Sequence, residues 1–329
     1  MPRYPVPTSL PVSVENGTVY LQSVVQDPPS SSSCTGLAII AHPLGRLGGS
    51  LDDPVVTRLS SLLLSHYNLR VVRFNSRGVG KSTGSASWTG QSECRDFEEL
   101  VERCLDNFCF DFPDAERCQL VIAGYSAGSL YGSTVKVGPQ LYDRKQFRHG
   151  LKPRYIFVSF PAGVRWALSF FSSSAYDEAL RLLLTSSTDA ESLRSQTPSS
   201  SPLTSPISPT IPDIGLAPTV MPTSAESAPA KSVALPIASH VLAVYGDADQ
   251  FTGASTYSTW TAKWSLVAPP PPSSTPSTST SLSLPQRSTS ARSTFHHTLV
   301  PGADHFYGTR QAIQGLEDAV TTWLDSLKD

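Results

Sequence analysis

Charge is scarce in this chain. Asp, Glu, Lys and Arg make up 16% of 329 residues and leave a net charge of -2. That balance excludes the basic footprint of a nucleic-acid binder and gives no pull toward anionic lipid. Long apolar runs are missing as well: no stretch approaches the ~18 residues of a membrane span, so no transmembrane segment is expected. The opening M-P-R-Y-P-V-P-T-S-L lacks the apolar core of a secretory signal. Cysteine is limited to Cys34, Cys94, Cys104, Cys109 and Cys118, an odd count without metal-ligand spacing. This reads as reduced thiols in a cytoplasmic protein, with no disulfide framework and no metal site expected.

Proline, by contrast, is plentiful, with 28 residues, and much of it lies with Ser and Thr in two low-complexity tracts, about 186–231 and 269–293. Such tracts hold too few large apolar groups to offset the entropy of ordering and are expected to be disordered. Residues 1–17 are Pro-rich and read as an extended surface segment. The remainder, 18–329, is read as one domain with about 250 residues outside the tracts, enough for a single large core.

Within that domain, short apolar runs alternate with helical periodicity. Strands are expected at Thr18–Val25 (at a sheet edge), Gly36–Ala41, Leu69–Phe74, Gln119–Ala123, Arg154–Phe160, Ser239–Tyr245 and Thr294–Val300. Helices are expected at about Pro54–His66, Glu93–Phe110 and Thr309–Leu327, with others after Ser126, beyond Val164 and around Trp260. Regular alternation implies an α/β fold, a mostly parallel central sheet with helices on both faces, interrupted by the two tracts. In such a sheet, chemistry collects at the carboxyl ends of the strands.

One of those ends is V-I-A-G-Y-S-A-G-S, Val121–Ser129. A serine thrust out of a sharp strand-to-helix turn needs neighbours that are almost free of side chain, and Gly124 and Gly128 meet that demand. Alone, G-x-S-x-G occurs by chance in about one chain in ten of this length. A hydroxyl is a poor nucleophile without a base. His305, in P-G-A-D-H-F after the last strand, supplies an imidazole, whereas His296 and His297 lie within that strand. An acid to fix the imidazole tautomer is available just past the preceding strand, at Asp249 or its neighbour Asp247. The chain order Ser126, Asp249, His305 matches the order in which α/β-hydrolases carry these groups.

An oxyanion needs two backbone donors. Ala127 N–H, at a helix start, is one; Pro43 has no N–H, so Leu44 is the second, with Gly45 behind it. His42 is expected to order this loop. Trp166 and Phe170 are ordinary core aromatics by residue type or else walls of an apolar acyl pocket. The turn N-S-R-G-V-G-K-S-T-G, Asn75–Gly84, invites a rival reading as a phosphate cradle, but the P-loop's first glycine is replaced by Asn75.

Taken together, H-P-L-G-R-L-G-G-S (His42–Ser50), R-F-N-S-R-G-V-G-K-S (Arg73–Ser82), G-Y-S-A-G-S, V-Y-G-D-A-D-Q-F-T and G-A-D-H-F resemble the α/β-hydrolase superfamily, close to its small cap-less esterase-like serine hydrolases. The likeness runs from about Gly36 to Leu327, outside the two tracts. It implies a Ser126, Asp249, His305 triad that hydrolyses a carboxylic ester or thioester, a small-molecule acyl substrate and no metal or organic cofactor. The alternative is a non-catalytic scaffold on the same fold, with the Ser/Pro tracts as docking segments. Protein partners are not legible.

Overall fold

The run Gly36–Ala41 is buried along its whole length, and its side chains divide by strict alternation. Leu37 and Ile39 enter one apolar core, Ala38 and Ile40 another. A strand buried on both faces must lie inside a sheet covered on both sides. The computed structural model describes residues 8–29, 34–115, 118–137, 151–164, 173–185, 238–268 and 292–328. The two Ser/Pro tracts, apart from residues 292 and 293, and the aromatic residues Trp166 and Phe170 lie outside the described residues.

The strands are β1 (Thr8–Val14), β2 (Val19–Gln26), β3 (Gly36–Ala41), β4 (Leu69–Phe74), β5 (Cys118–Tyr125), β6 (Leu151–Val158), β7 (His240–Gly246) and β8 (Thr294–Val300). They form an eight-stranded sheet in the order β1-β2-β4-β3-β5-β6-β7-β8. From β4 to β8 across the sheet all pairs are parallel; β2 runs antiparallel to β4 and β1 antiparallel to β2. The helices are α1 (Pro54–Tyr67), α2 (Gln91–Asp111), α3 (Ala127–Thr134), α4 (Ser173–Leu184), α5 (Ala254–Val267) and α6 (Arg310–Ser326). Val55, Leu59 and Leu63 of α1 and Leu316, Val320 and Trp323 of α6 fill one core. Phe97 of α2, Leu130 of α3, Leu180 of α4 and Trp260 of α5 fill the other. Among the described residues, no helix is long and apolar enough to cross a membrane.

Two strands differ from expectation for reasons that involve proline. Thr8–Val14 is a strand, paired along its length with β2, so β2 is internal to the sheet and β1 is the edge. Pro11 removes one donor, and within a sheet an edge strand is where proline is tolerated. Strand β6 starts three residues earlier than the run Arg154–Phe160 suggests and contains Pro153. Its pairing with β7 begins only at Arg154, beyond the proline.

The Gly-rich turn after β4 is held by polar side chains. Asn75 accepts from the Leu51 N–H at 2.7 Å and donates to Gln22 at 2.9 Å. Arg77 forks onto the buried Asp96 at 2.7 and 2.6 Å. Gly78, Gly80 and Gly84 have φ of 72°, 57° and 77°, a left-handed region that glycine enters without strain. No helix follows directly, as α2 begins only at Gln91. A P-loop needs its helix N-terminus immediately after the glycines, so this turn is a structural brace.

Candidate active site

Strand β5 ends at Tyr125, and the chain reverses into α3 within one residue. Ser126 occupies φ 54° and ψ -119°, a conformation that costs a non-glycine residue free energy and persists because its surroundings enforce it. The Ser126 N–H donates to the Val158 carbonyl at 2.9 Å, and Ser129 Oγ donates to the Gly124 carbonyl at 2.7 Å. A Cβ on Gly124 would collide with the Gly128 carbonyl, and one on Gly128 would lie 2.5 Å from the Ala41 oxygen. Both glycines are thus required by close backbone approach, one inside the turn and the other against the end of β3.

His305 stands in the loop after β8 and is buried. Its Nε2 lies 2.9 Å from Ser126 Oγ, and its Nδ1 lies 2.8 Å from Asp249 Oδ2. The remaining acceptor capacity of Asp249 is taken up by the N–H groups of Phe251 and Thr252, at 2.8 and 2.9 Å, and the hydroxyl of Tyr257, at 3.1 Å. Burial alone would raise this carboxyl, but His305 and the two amides outweigh it and hold its pKa below the ordinary value. An ionised Asp249 only accepts, so Nδ1 carries the proton and Nε2 is left to accept from the serine hydroxyl. Asp247 is engaged elsewhere, its Oδ1 accepting from the Gly302 N–H at 2.6 Å.

The loops bearing Asp249 and His305 are tied to each other through backbone. Ala248 N–H donates to the Ala303 carbonyl at 3.1 Å, and His305 N–H donates to the Gln250 side chain at 3.1 Å. Gly246 permits this approach, because a Cβ there would collide with the Ala303 carbonyl. From the far side, the Tyr125 hydroxyl donates to the His305 carbonyl at 2.8 Å. Tyr125 and Tyr257 were not singled out by sequence reasoning. Tyr125 sits inside the elbow motif, next to the serine, and its position was the available signal; Tyr257, eight residues past Asp249, carries none.

Opposite the histidine, the loop after β3 turns through Gly45–Leu47. Leu44 accepts from the N–H groups of Leu47 and Gly49, at 3.0 and 3.2 Å. His42 is buried; its Nε2 accepts from the Ser76 N–H at 2.9 Å and its Nδ1 donates to the Pro43 carbonyl. Burial lowers its pKa to about 4, with the Pro43 contact opposing, so the ring is neutral. It pins the loop that carries Leu44 to the turn after β4.

These loops enclose a cavity of about 360 Å³ that reaches Ser126 and His305 and is walled mainly by Leu44, Leu47, Pro161, Val164 and Phe251. Its size and apolar lining suit a small organic substrate. The arrangement can move a proton from a hydroxyl to an imidazole and leave an alkoxide-like oxygen facing the cavity. Leu44 lines the cavity from the loop after β3, and Ala127 begins α3 directly after Ser126. Among the described residues, no cluster of side chains has the composition of a metal site.

No protein-family model and no curated protein matches the sequence. Solved structures do. An α/β serine hydrolase homologue from Coxiella burnetii is 18% identical, with a TM-score of 0.54 over 96% of this chain and 97% of that one. An α/β serine hydrolase without a lid from Xanthomonas campestris is 19% identical, with a TM-score of 0.52 over 96% and 94%. An esterase from Pyrococcus furiosus is 13% identical, with a TM-score of 0.52 over 98% and 92%. At these identities the likeness is one of backbone, and with the mostly parallel eight-stranded sheet it shows that the chain has the α/β-hydrolase fold.

Proposed function

We propose that the protein is a serine hydrolase that cleaves a carboxylic ester or thioester through a covalent acyl-enzyme. The observation that carries this reading is the unbroken line of contacts from Ser126 Oγ through His305 to Asp249, at 2.9 and 2.8 Å, opening on an apolar cavity.

In the first half-reaction, His305 Nε2 takes the Ser126 proton as Oγ bonds to the substrate carbonyl carbon. The carbonyl oxygen gains the negative charge and is stabilised by the Ala127 and Leu44 N–H groups; a single such donor is worth roughly 3 kcal/mol of barrier. The carbon–oxygen or carbon–sulfur bond then breaks, and the leaving group departs with the proton held on His305. Water repeats the sequence on the acyl-serine, giving up a proton to His305 and releasing the carboxylic acid and the free serine. Asp249 stabilises the imidazolium formed in each half.

Covalent labelling tests the proposal. A fluorophosphonate probe should label wild-type protein and leave Ser126→Ala unlabelled. Equal labelling of both, or of neither, would remove the assignment.

A further inference from the structure

Apart from the reacting groups, the cavity wall is apolar with one departure. Asp53 lines the same space as Ser126, Tyr125, Gly49 and Pro43. It is the N-cap of α1, and its Oδ1 accepts the Val55 N–H at 2.9 Å. That hydrogen bond fixes the side chain at the cavity edge. Burial raises its pKa, opposed by the Val55 and Val56 amides and by an electrostatic interaction with His305, so the two groups lie within electrostatic reach of each other.

Among the described residues, no basic side chain pairs with Asp53. Arg46 donates to the carbonyls of Ala86 and Ser87, Arg73 to the Leu51 carbonyl and toward Asp52, and Arg77 to Asp96. Among the described residues the carboxylate has the amides at the start of α1 but no Lys or Arg as a partner, and it borders a small space with mainly apolar walls. There, charge–charge interaction is far less screened than in bulk water. An anionic substrate would lose its hydration and gain no counter-cation.

We propose that Asp53 is a specificity-determining residue that selects against negatively charged substrates, leaving neutral esters or thioesters as the substrate class. This rests on the acyl-transfer reading of Ser126. The mechanism is repulsive discrimination, in which the wrong substrate is penalised by a like charge that the right one never meets.

The test uses two fluorophosphonates that share one reactive head and a short alkyl chain, ending in methyl or in carboxylate. The second-order labelling rate of each is measured on the full chain. Wild type is expected to favour the neutral probe by about 100-fold, the scale of like-charge juxtaposition at a binding site. In Asp53→Asn, which keeps an oxygen to cap Val55 and so keeps the helix start, the preference is expected to fall at least tenfold. A preference that is the same in both proteins, or absent from wild type, overturns the role of Asp53 while leaving Ser126 as the nucleophile. Failure of the neutral probe to label wild type overturns the acyl-transfer reading, and this inference with it.

Discussion

Two histidines stand in the loops after two strands of the sheet, His42 after β3 and His305 after β8, and are buried almost equally, at 1% and 4% exposure. Both have each ring nitrogen within hydrogen-bond distance of a partner, yet the partners differ in kind. His42 lies between a carbonyl and an amide of the backbone, groups that cannot exchange a proton near neutral pH. His305 lies between a carboxylate and a hydroxyl. One ring is a strut and the other is equipped to carry a proton. The lesson is that burial and full hydrogen bonding do not separate structural from chemical histidines; the identity of the two partners does.

The comparison is sharpened most by substitutions on the His305 side. Ser126→Ala or His305→Ala is expected to reduce ester hydrolysis by roughly 10⁴-fold or more, since such groups act as a unit. Thermal unfolding should show that both variants remain folded. Asp249→Asn is expected to lose roughly 10³- to 10⁴-fold in kcat, because an amide no longer selects the Nδ1–H tautomer.

Gly128→Ala tests the backbone approach that supports both regions. Its Cβ would lie 2.5 Å from the Ala41 oxygen and 2.7 Å from the His42 oxygen. The displaced loop should slow labelling by about tenfold and destabilise the fold by about 1–3 kcal/mol in denaturant titration.

On the His42 side, the expected signature is in stability. The folded ring titrates near 4, against an ordinary value of 6.5, so in this window the unfolded chain binds the proton first. Acid therefore favours unfolding as the pH falls from about 6.5 to 4, by roughly 3 kcal/mol. His42→Ala should be less stable at neutral pH, with the Ser76 amide left unpaired, and should lose that much less stability between pH 7 and 4. Asp249 acts in a lower window: its pKa is depressed, so its contribution is held above the carboxylate range and is lost only as the pH falls below it. Urea titrations at fixed pH values separate the two. The smallest effect is expected from Tyr257→Phe, which removes one of several donors to Asp249. A loss of about 1–2 kcal/mol in stability and a few-fold in kcat would fit a positioning role.

Much of the architecture was legible because period and length suffice for it. Strands β3, β4 and β8 have the bounds read from their apolar runs. Most others shifted by a residue or two, as element ends do, and β6 starts three residues early. Strand β1 was not legible, since a chain with Pro2, Pro5, Pro7 and Pro11 reads as unpaired extended backbone until a partner strand is present. At the site, the elbow glycines were readable from sterics alone, whereas the choice between Asp247 and Asp249 was not. The two lie two residues apart in one loop, and only the course of that loop decides that Asp249 meets His305 and Asp247 meets Gly302. Tyr257 and Asp53 were equally silent, because a tyrosine in a helix and an aspartate at a helix start have ordinary local roles.

The sequence by itself determined the alternation of strand and helix, the strained serine turn and the residue types able to transfer an acyl group, because these depend on periodicity, on side-chain volume and on ionisation. The tertiary structure alone decided which carboxylate faces the imidazole, which histidine is a strut and which acid overlooks the cavity. Those outcomes depend on where loops from distant parts of the chain meet at one edge of the sheet, and no local pattern encodes a distance between loops.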